Sequence, residues 1–215
     1  MPFRYSALLI PTALIGYGVI GIESDQLKLF NSQIHDEVNE HIDERITIDD
    51  FAQYSPAASV YILNLAGVKG KHNLKDRSVI IATSMITIAI TVTTLRHIVK
   101  EERPDGSSNN SFPSGHTATA FAGAEFLYQE HRDVSVWYGV VGYAIAAGTG
   151  AFRMYNDRHW LTDVVAGAGI GILSTKFAYW VHPYLRNHLK CLNSTAMVMP
   201  YYDGKKTGIG FAMSF

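Results

Sequence analysis

Apolar residues fall into six blocks, at residues 7–22, 57–68, 78–95, 117–128, 134–152 and 164–181. The blocks at 7–22, 78–95 and 134–152 contain no ionisable charge, and Lys176 is the only charge in the last. Runs of this length and purity match the hydrocarbon thickness of a bilayer, so each predicts a spanning helix. The blocks at 57–68 and 117–128 are too short to span alone; they fit helices buried in the bundle, or spanning helices with polar ends. Within 164–181, Gly167 and Gly171 stand four apart, the spacing that lets helices approach closely in lipid. The pattern predicts an all-α fold, a six-helix transmembrane bundle. A soluble all-helical protein with buried helices is the alternative. The first block also fits a cleaved signal peptide, but no convincing small-x-small cleavage site precedes Glu23, which favours an uncleaved helix.

The connections carry opposite charges. Residues 23–56 are acidic, with Asp36, Glu37, Glu40, Asp43, Glu44, Asp49 and Asp50 against Lys28 and Arg45. Residues 69–77 hold Lys69, Lys71, Lys75 and Arg77 against Asp76, and Arg186 and Lys190 follow the last block. With Arg4, the 69–77 loop and the C-terminus in the cytoplasm, six crossings close consistently and the acidic segment falls outside. Inside that segment Leu27, Phe30, Ile34, Val38, Ile42 and Ile46 recur every three or four residues, predicting one amphipathic helix at the membrane surface or over the domain. From Thr195 the pattern changes to two short runs around Asp203-Gly204, predicting a β-hairpin tail. The expected domains are therefore a membrane domain at 1–189 and a C-terminal tail at 190–215.

Composition narrows the function classes. Hydrophobic residues make up 47% and charged residues 17% of the 215, which excludes a disordered chain. A formal charge of −1 gives no reason to expect a nucleic-acid partner. The single cysteine, Cys191, excludes an internal disulfide, a thiol redox pair and a cysteine-rich zinc site.

Polar residues interrupt the apolar pattern in two connections on the same expected side. Arg96 and Arg103-Pro104 follow the third block, Pro113-Ser114-Gly115-His116 opens the fourth, and Arg153, His159 and Asp163 lie between the fifth and sixth. Arginine offers a fork of donors matched to phosphate oxygens, so Arg96, Arg103 and Arg153 suit one phosphoryl group. Gly115 and His116 stand at a helix start, where unpaired N–H groups and the helix dipole favour an anion. Asp163 is placed to accept the Nδ1 proton of His159, leaving Nε2 as a nucleophile, and His116 is then available as general acid. Together these groups describe phosphoryl transfer through a phosphohistidine, with neither metal nor cofactor. Other readings of the same residues are a helix N-cap at Ser114, a structural His159–Asp163 pair, and interfacial arginines. A Ser114–His159–Asp163 hydrolase triad lacks the nucleophile-elbow glycines, and a metal site at His97, His116, His159 and Asp163 faces repulsion from three arginines.

The three clusters resemble the signatures of the type 2 phosphatidic acid phosphatase family, which shares its site with vanadium haloperoxidases and bacterial acid phosphatases. The family's Lys-x6-Arg-Pro reads here as Arg96, HIVKEE, Arg103-Pro104. Its Pro-Ser-Gly-His is Pro113 to His116, and its Ser-Arg-x5-His-x3-Asp is Phe152-Arg153, MYNDR, His159, WLT, Asp163. Arg96 replaces the family's lysine and Phe152 its serine, departures that bear on substrate preference. The resemblance implies His159, His116 and Asp163 as catalytic residues and Arg96, Arg103, Ser114, Gly115 and Arg153 as phosphate-binding ones. It further implies a multi-pass protein of the bacterial inner membrane, its site facing the periplasm. The expected substrate is a membrane lipid phosphate: lipid A, phosphatidic acid, phosphatidylglycerol phosphate or undecaprenyl pyrophosphate. A vanadate-dependent peroxidase and a non-catalytic binder of lipid phosphates are the alternative functions.

Overall fold

The computed structural model describes residues 5–39, 47–191, 195–202 and 207–214. Among them lie eight helices: α1 (Ser6–Glu23), α2 (Asp25–Asn39), α3 (Ile48–Ala52), α4 (Ser55–Leu65), α5 (Leu74–Val99), α6 (Gly115–His131), α7 (Trp137–Tyr155) and α8 (Leu161–Cys191). Helices α1 and α4 to α8 coincide with the six apolar blocks; α2 and α3 come from the acidic segment. Three helical stretches are long and apolar enough to cross a membrane, Ser6–Glu23, Leu74–Val99 and Leu161–Asn187. The chain separates into two compact units, Met1–Trp180 and Val181–Phe215. In the second unit, strands β1 (Thr195–Tyr202) and β2 (Thr207–Ser214) pair antiparallel, with Thr195 opposite Ser214 and Tyr202 opposite Thr207. The turn expected at Asp203-Gly204 lies outside the described residues.

The amphipathic helix expected across Leu27 to Ile46 is described as α2 through Asn39, with Leu27, Phe30, Ile34 and Val38 on it. Ile42 and Ile46 lie outside the described residues. The short helix α3 follows at Ile48, and its Asp49 is buried, 1% exposed.

Helix α6 is the axis of the first unit. It packs Phe126 and Leu127 with Val60, Ile80, Ala178 and Tyr179, and Ala118 and Ala122 with Ile88, Val92 and Ile170. Ala120 and Ala124 face Ala146 of α7. Its glutamates are buried but paired, which explains why its apolar block looks too short. Glu125 accepts from Gln129 Nε2 (2.6 Å), Lys176 Nζ (2.7 Å) and the Tyr143 hydroxyl. Glu130 accepts from Tyr179 Oη (2.7 Å) and the His72 backbone N–H (2.9 Å). An unpaired charge there would cost several kcal/mol. The outward faces of α1, α5 and α7 expose Leu9, Ile20, Ile86, Ile90, Trp137 and Val140, an apolar belt suited to lipid.

Close approach of α8 to α6 depends on absent side chains. A Cβ on Gly167 would lie 2.5 Å from the Ser114 carbonyl oxygen, and one on Gly171 would overlap the carbonyl oxygen of Ala118. Gly171→Ala is therefore expected to destabilise the bundle by about 1–3 kcal/mol through overpacking. Gly148→Ala, on α7 with nothing within 4 Å, is expected to be neutral or to stabilise by up to about 1 kcal/mol. Thermal unfolding of the detergent-solubilised protein compares the two, and equal midpoints would contradict the close seam.

Candidate active site

The sequence turns the chain at three places to assemble one end of the bundle. Helix α5 ends where Lys100 adopts a left-handed conformation, φ 54°. The loop that follows folds on itself: Ser111 N–H donates to Glu101 O (2.9 Å), Arg103 N–H to Ser108 O (3.0 Å), and Arg103 Nε to Asn110 Oδ1 (2.9 Å). It is tied to the third connection by Trp160 Nε1 donating to Glu102 O at 2.9 Å. Helix α7 ends at Tyr155 and the chain turns at Asp157, φ 56°, after which Arg158 N–H returns to Arg153 O at 3.0 Å. Helix α2 clamps this turn from outside: Asn31 Nδ2 donates to Thr162 Oγ1 (2.8 Å), and His35 Nε2 lies 2.9 Å from Asp157 Oδ1.

His159 sits just before α8 and Asp163 in its first turn, each 1% exposed. Asp163 Oδ2 stands 3.7 Å from His159 Nδ1, longer than a hydrogen bond. The carboxylate is held by Ser111 Oγ (2.5 Å) and the Trp160 N–H (2.9 Å), and Ser111 Oγ lies 3.5 Å from His159 Nδ1. Its backbone carbonyl accepts from Ser114 N–H at 3.1 Å, joining the second and third clusters. His159 Nε2 is buried without a hydrogen-bond partner, and so is Arg153 Nε. Arg77 Nη1 and both His131 ring nitrogens are left so as well; at His159 and Arg153 a bound oxyanion would supply the missing partner.

The histidine is tuned for attack. Burial pushes its pKa down to about 4; Asp163 opposes the shift, and Arg153 and Arg103 add to it. The imidazole is neutral at pH 7, so its Nε2 lone pair is available. Arg103 is also held below its usual value, first by burial and then by Arg153 and Arg158, a crowding of positive charge that favours an anion.

Three of the expected residues share a cavity, and the buried His159 and Asp163 are not among its lining residues. Arg103, His116 and Arg153 line one cavity of about 190 Å³, together with Thr47, Asp49, Asp50, Asn156 and Arg158. Arg96 stands beside Gly115, whose added Cβ would lie 3.4 Å from its Nη2, but the guanidinium donates to Pro113 O (3.2 Å from Nη2, 3.4 Å from Nε). Arg96 lines a different cavity, of about 360 Å³, with Thr93, His97, Lys100, Asn109 and Asn110. The Ser114 side chain caps α6 by accepting from Thr117 N–H and pairs with Thr117 Oγ1 at 2.9 Å. Phe152, in place of the family's serine, packs its ring on Tyr155.

Sequence reasoning passed over Asp49, Asp50, Ser111, Asn156 and Arg158. Arg153 Nη1 donates to Asp49 Oδ2 at 2.6 Å, Asn156 Nδ2 to Asp49 Oδ1 at 3.1 Å, and His116 Nε2 lies 3.0 Å from Asp50 Oδ1. The two aspartates belong to an acidic run whose spacing signals only a solvated face. Ser111 sits two residues before a recognised motif without a pattern of its own. Arg158 alone carried a signal, as a charge next to His159.

The family model for the PAP2 superfamily matches residues 77–187. A lipid A 1-phosphatase from Porphyromonas gingivalis is 38% identical over 135 residues, covering 62% of this chain and 30% of that protein. The bacitracin transport permease protein BcrC of Bacillus licheniformis is 34% identical over 77 residues, 36% of each chain. The chain thus spans about a third of the length of these curated relatives. Among solved structures, Aquifex aeolicus LpxE superimposes with a TM-score of 0.53 at 21% identity, covering 70% of this chain and 95% of that one. The PAP2-type phosphatidylglycerolphosphate phosphatase of Bacillus subtilis gives 0.58 at 17% identity, covering 82% and 97%. These two likenesses describe the fold.

The depressed pKa of His159 carries a stability consequence. Unfolding releases the ring to its ordinary 6.5, so the unfolded state binds the extra proton between pH 6.5 and about 4. Stability is full above pH 6.5 and falls as pH drops through that window, by up to about 3 kcal/mol. Thermal unfolding at pH 7 and pH 5 is expected to show a smaller acid loss in His159→Gln than in the native protein. An equal loss would mean that His159 is not held neutral by burial.

Proposed function

Since the chain belongs to the PAP2 superfamily, we propose that it is a membrane lipid phosphatase, hydrolysing a phosphate monoester through a phosphohistidine. The observation that carries this is the buried His159 Nε2, without a partner, backed by Asp163 and close to Arg153. His159 Nε2 attacks phosphorus, forming an N–P bond as the ester P–O bond breaks. His116 gives its proton to the departing oxygen, then takes one from the water that cleaves the N–P bond, releasing phosphate and restoring His159. Arg103 and Arg153 neutralise the phosphoryl oxygens, Arg96 holds the Pro113 carbonyl beside them, and Ser114 and Gly115 present the start of α6. Asp163 fixes the His159 tautomer by way of Ser111, whose hydroxyl donates to Asp163 and lies 3.5 Å from Nδ1.

The substrate is a lipid phosphate, lipid A 1-phosphate ahead of phosphatidic acid, phosphatidylglycerol phosphate and undecaprenyl pyrophosphate. The similarity to a lipid A 1-phosphatase supports that order. The catalytic machinery falls in 1–189, with 190–215 an appended tail. We place the protein in the bacterial inner membrane with six crossings through α1 and α4 to α8, the site facing the periplasm. Two features support that orientation: the site lies where α5 and α7 end and α4, α6 and α8 begin, and Lys69, Lys71, Lys75 and Arg77 occupy the opposite connection.

Purified protein is expected to release phosphate from lipid A 1-phosphate in mixed micelles without added metal, and EDTA is not expected to inhibit, because arginines supply the positive charge. His159→Ala is expected to abolish release. Asp163→Asn is expected to reduce it by about 10²–10⁴, the larger figure being the handicap of a wrong tautomer in a serine protease triad. Release that persists in His159→Ala would overturn the phosphohistidine.

A further inference from the structure

Besides His159 and Asp163, the site holds a second imidazole–carboxylate contact, built from a helix that none of the three recognised motifs includes. Asp50 Oδ1 stands 3.0 Å from His116 Nε2. The carboxylate is not loosely placed. Its neighbour Asp49 is buried against Arg153 and Asn156. Asp50 N–H donates to Thr47 O at 3.2 Å, and its carbonyl accepts from Gln53 Nε2 at 2.8 Å, Gln53 being itself buried. The five residues of α3 are thus anchored on the end of α7, and the anchor aims Asp50 at the start of α6.

The charges around His116 explain why such a carboxylate matters. Arg103, Arg153 and Arg158 face the same cavity; burial and the Arg153 charge push the His116 pKa below its ordinary value, and Asp50 and Asp49 oppose that shift. A general acid must nevertheless hold its proton until the leaving oxygen develops charge. Asp49 is already engaged by Arg153, which leaves Asp50, with a half-exposed side chain and 3.7 Å from Arg153 Nη1, as the anion in direct contact with the ring. We propose that Asp50 is the positioning residue of the general acid: it binds His116 Nε2, favours the protonated ring against the arginines, and directs Nδ1–H to the leaving oxygen. Asp50 touches neither phosphorus nor the leaving group. In the transfer, Nδ1–H protonates the ester oxygen as its P–O bond to phosphorus breaks. The neutral ring that remains keeps its Nε2–H donated to Asp50, and water returns the Nδ1 proton in the second half-reaction.

This inference rests on the phosphohistidine reading, and leaving-group dependence separates their failures. A p-nitrophenolate departs without protonation, whereas an alkyl or sugar alkoxide requires it. With the full-length protein, Asp50→Asn is expected to lower kcat on an alkyl phosphate monoester by about 10-fold or more, within the range of about 10²–10⁴ for the whole acid contribution. Its kcat on p-nitrophenyl phosphate is expected to stay within about threefold, because that substrate bypasses the acid. His116→Ala is expected to show the same discrimination more strongly, and Asp50→Asn to cost nothing further in that background, since the two act as one unit. The ratio of the two rates is internal to each variant, so partial misfolding cancels. An equal fall on both substrates would make Asp50 merely structural, and a rise on both would make it a plug in the cavity; either overturns the proposal. Should His116→Ala fail to discriminate, the general-acid role itself falls, and this inference with it.

Discussion

Everything at the reactive end depends on how closely α8 lies on α6. The seam has glycine at Gly167 and Gly171, against the carbonyls of Ser114 and Ala118. Lipid gives helices no hydrophobic reason to associate, so backbone proximity and dispersion have to hold them together. At the head of the seam, Ser114 N–H donates to the Asp163 carbonyl. One hydrogen bond thus fixes the start of the helix that carries His116 to the turn that carries His159. A side chain of any size at either glycine would separate the proposed acid from the proposed nucleophile before it disturbed either residue.

Electrostatics supplies a second constraint. Gathering Arg96, Arg103, Arg153 and Arg158 at one end of an apolar bundle is unfavourable unless anions accompany them. The fold brings its own: Asp49 at Arg153 and Asp105 at Arg158. These pairs hold the guanidiniums in defined orientations while Arg153 Nε stays unsatisfied. Deeper in the bundle the same rule applies with opposite purpose, because Glu125 and Glu130 are paired fully and face no cation cage. Paired charge at the core locks helices together; incompletely paired charge at the rim is what the proposed substrate phosphate would meet.

Much of this was readable from the chain. The apolar blocks located α1 and α4 to α8 because helices that face lipid must be apolar on their outer side, as the exposed Ile86 and Ile90 of α5 are. The motifs located His116, Arg153, His159 and Asp163 because chemistry needs those residue types at fixed spacing. Asp49 and Asp50 were illegible, since their partners are 104 and 66 residues away and no local period encodes such a contact. The orientation of Arg96 was illegible for a related reason: charge predicts affinity for phosphate, and only the fold shows that Nε and Nη2 donate to the Pro113 carbonyl.

The account centres on one bond, between His159 Nε2 and phosphorus. A crystal structure of the protein with orthovanadate tests it most directly, because vanadate adopts the five-coordinate geometry of the transferring phosphoryl group. The account predicts vanadium bonded to His159 Nε2, with Arg103 and Arg153 on its equatorial oxygens and His116 facing the apical oxygen. Vanadate bound only at the surface, or held by the arginines with His159 Nε2 out of bonding distance, would contradict it.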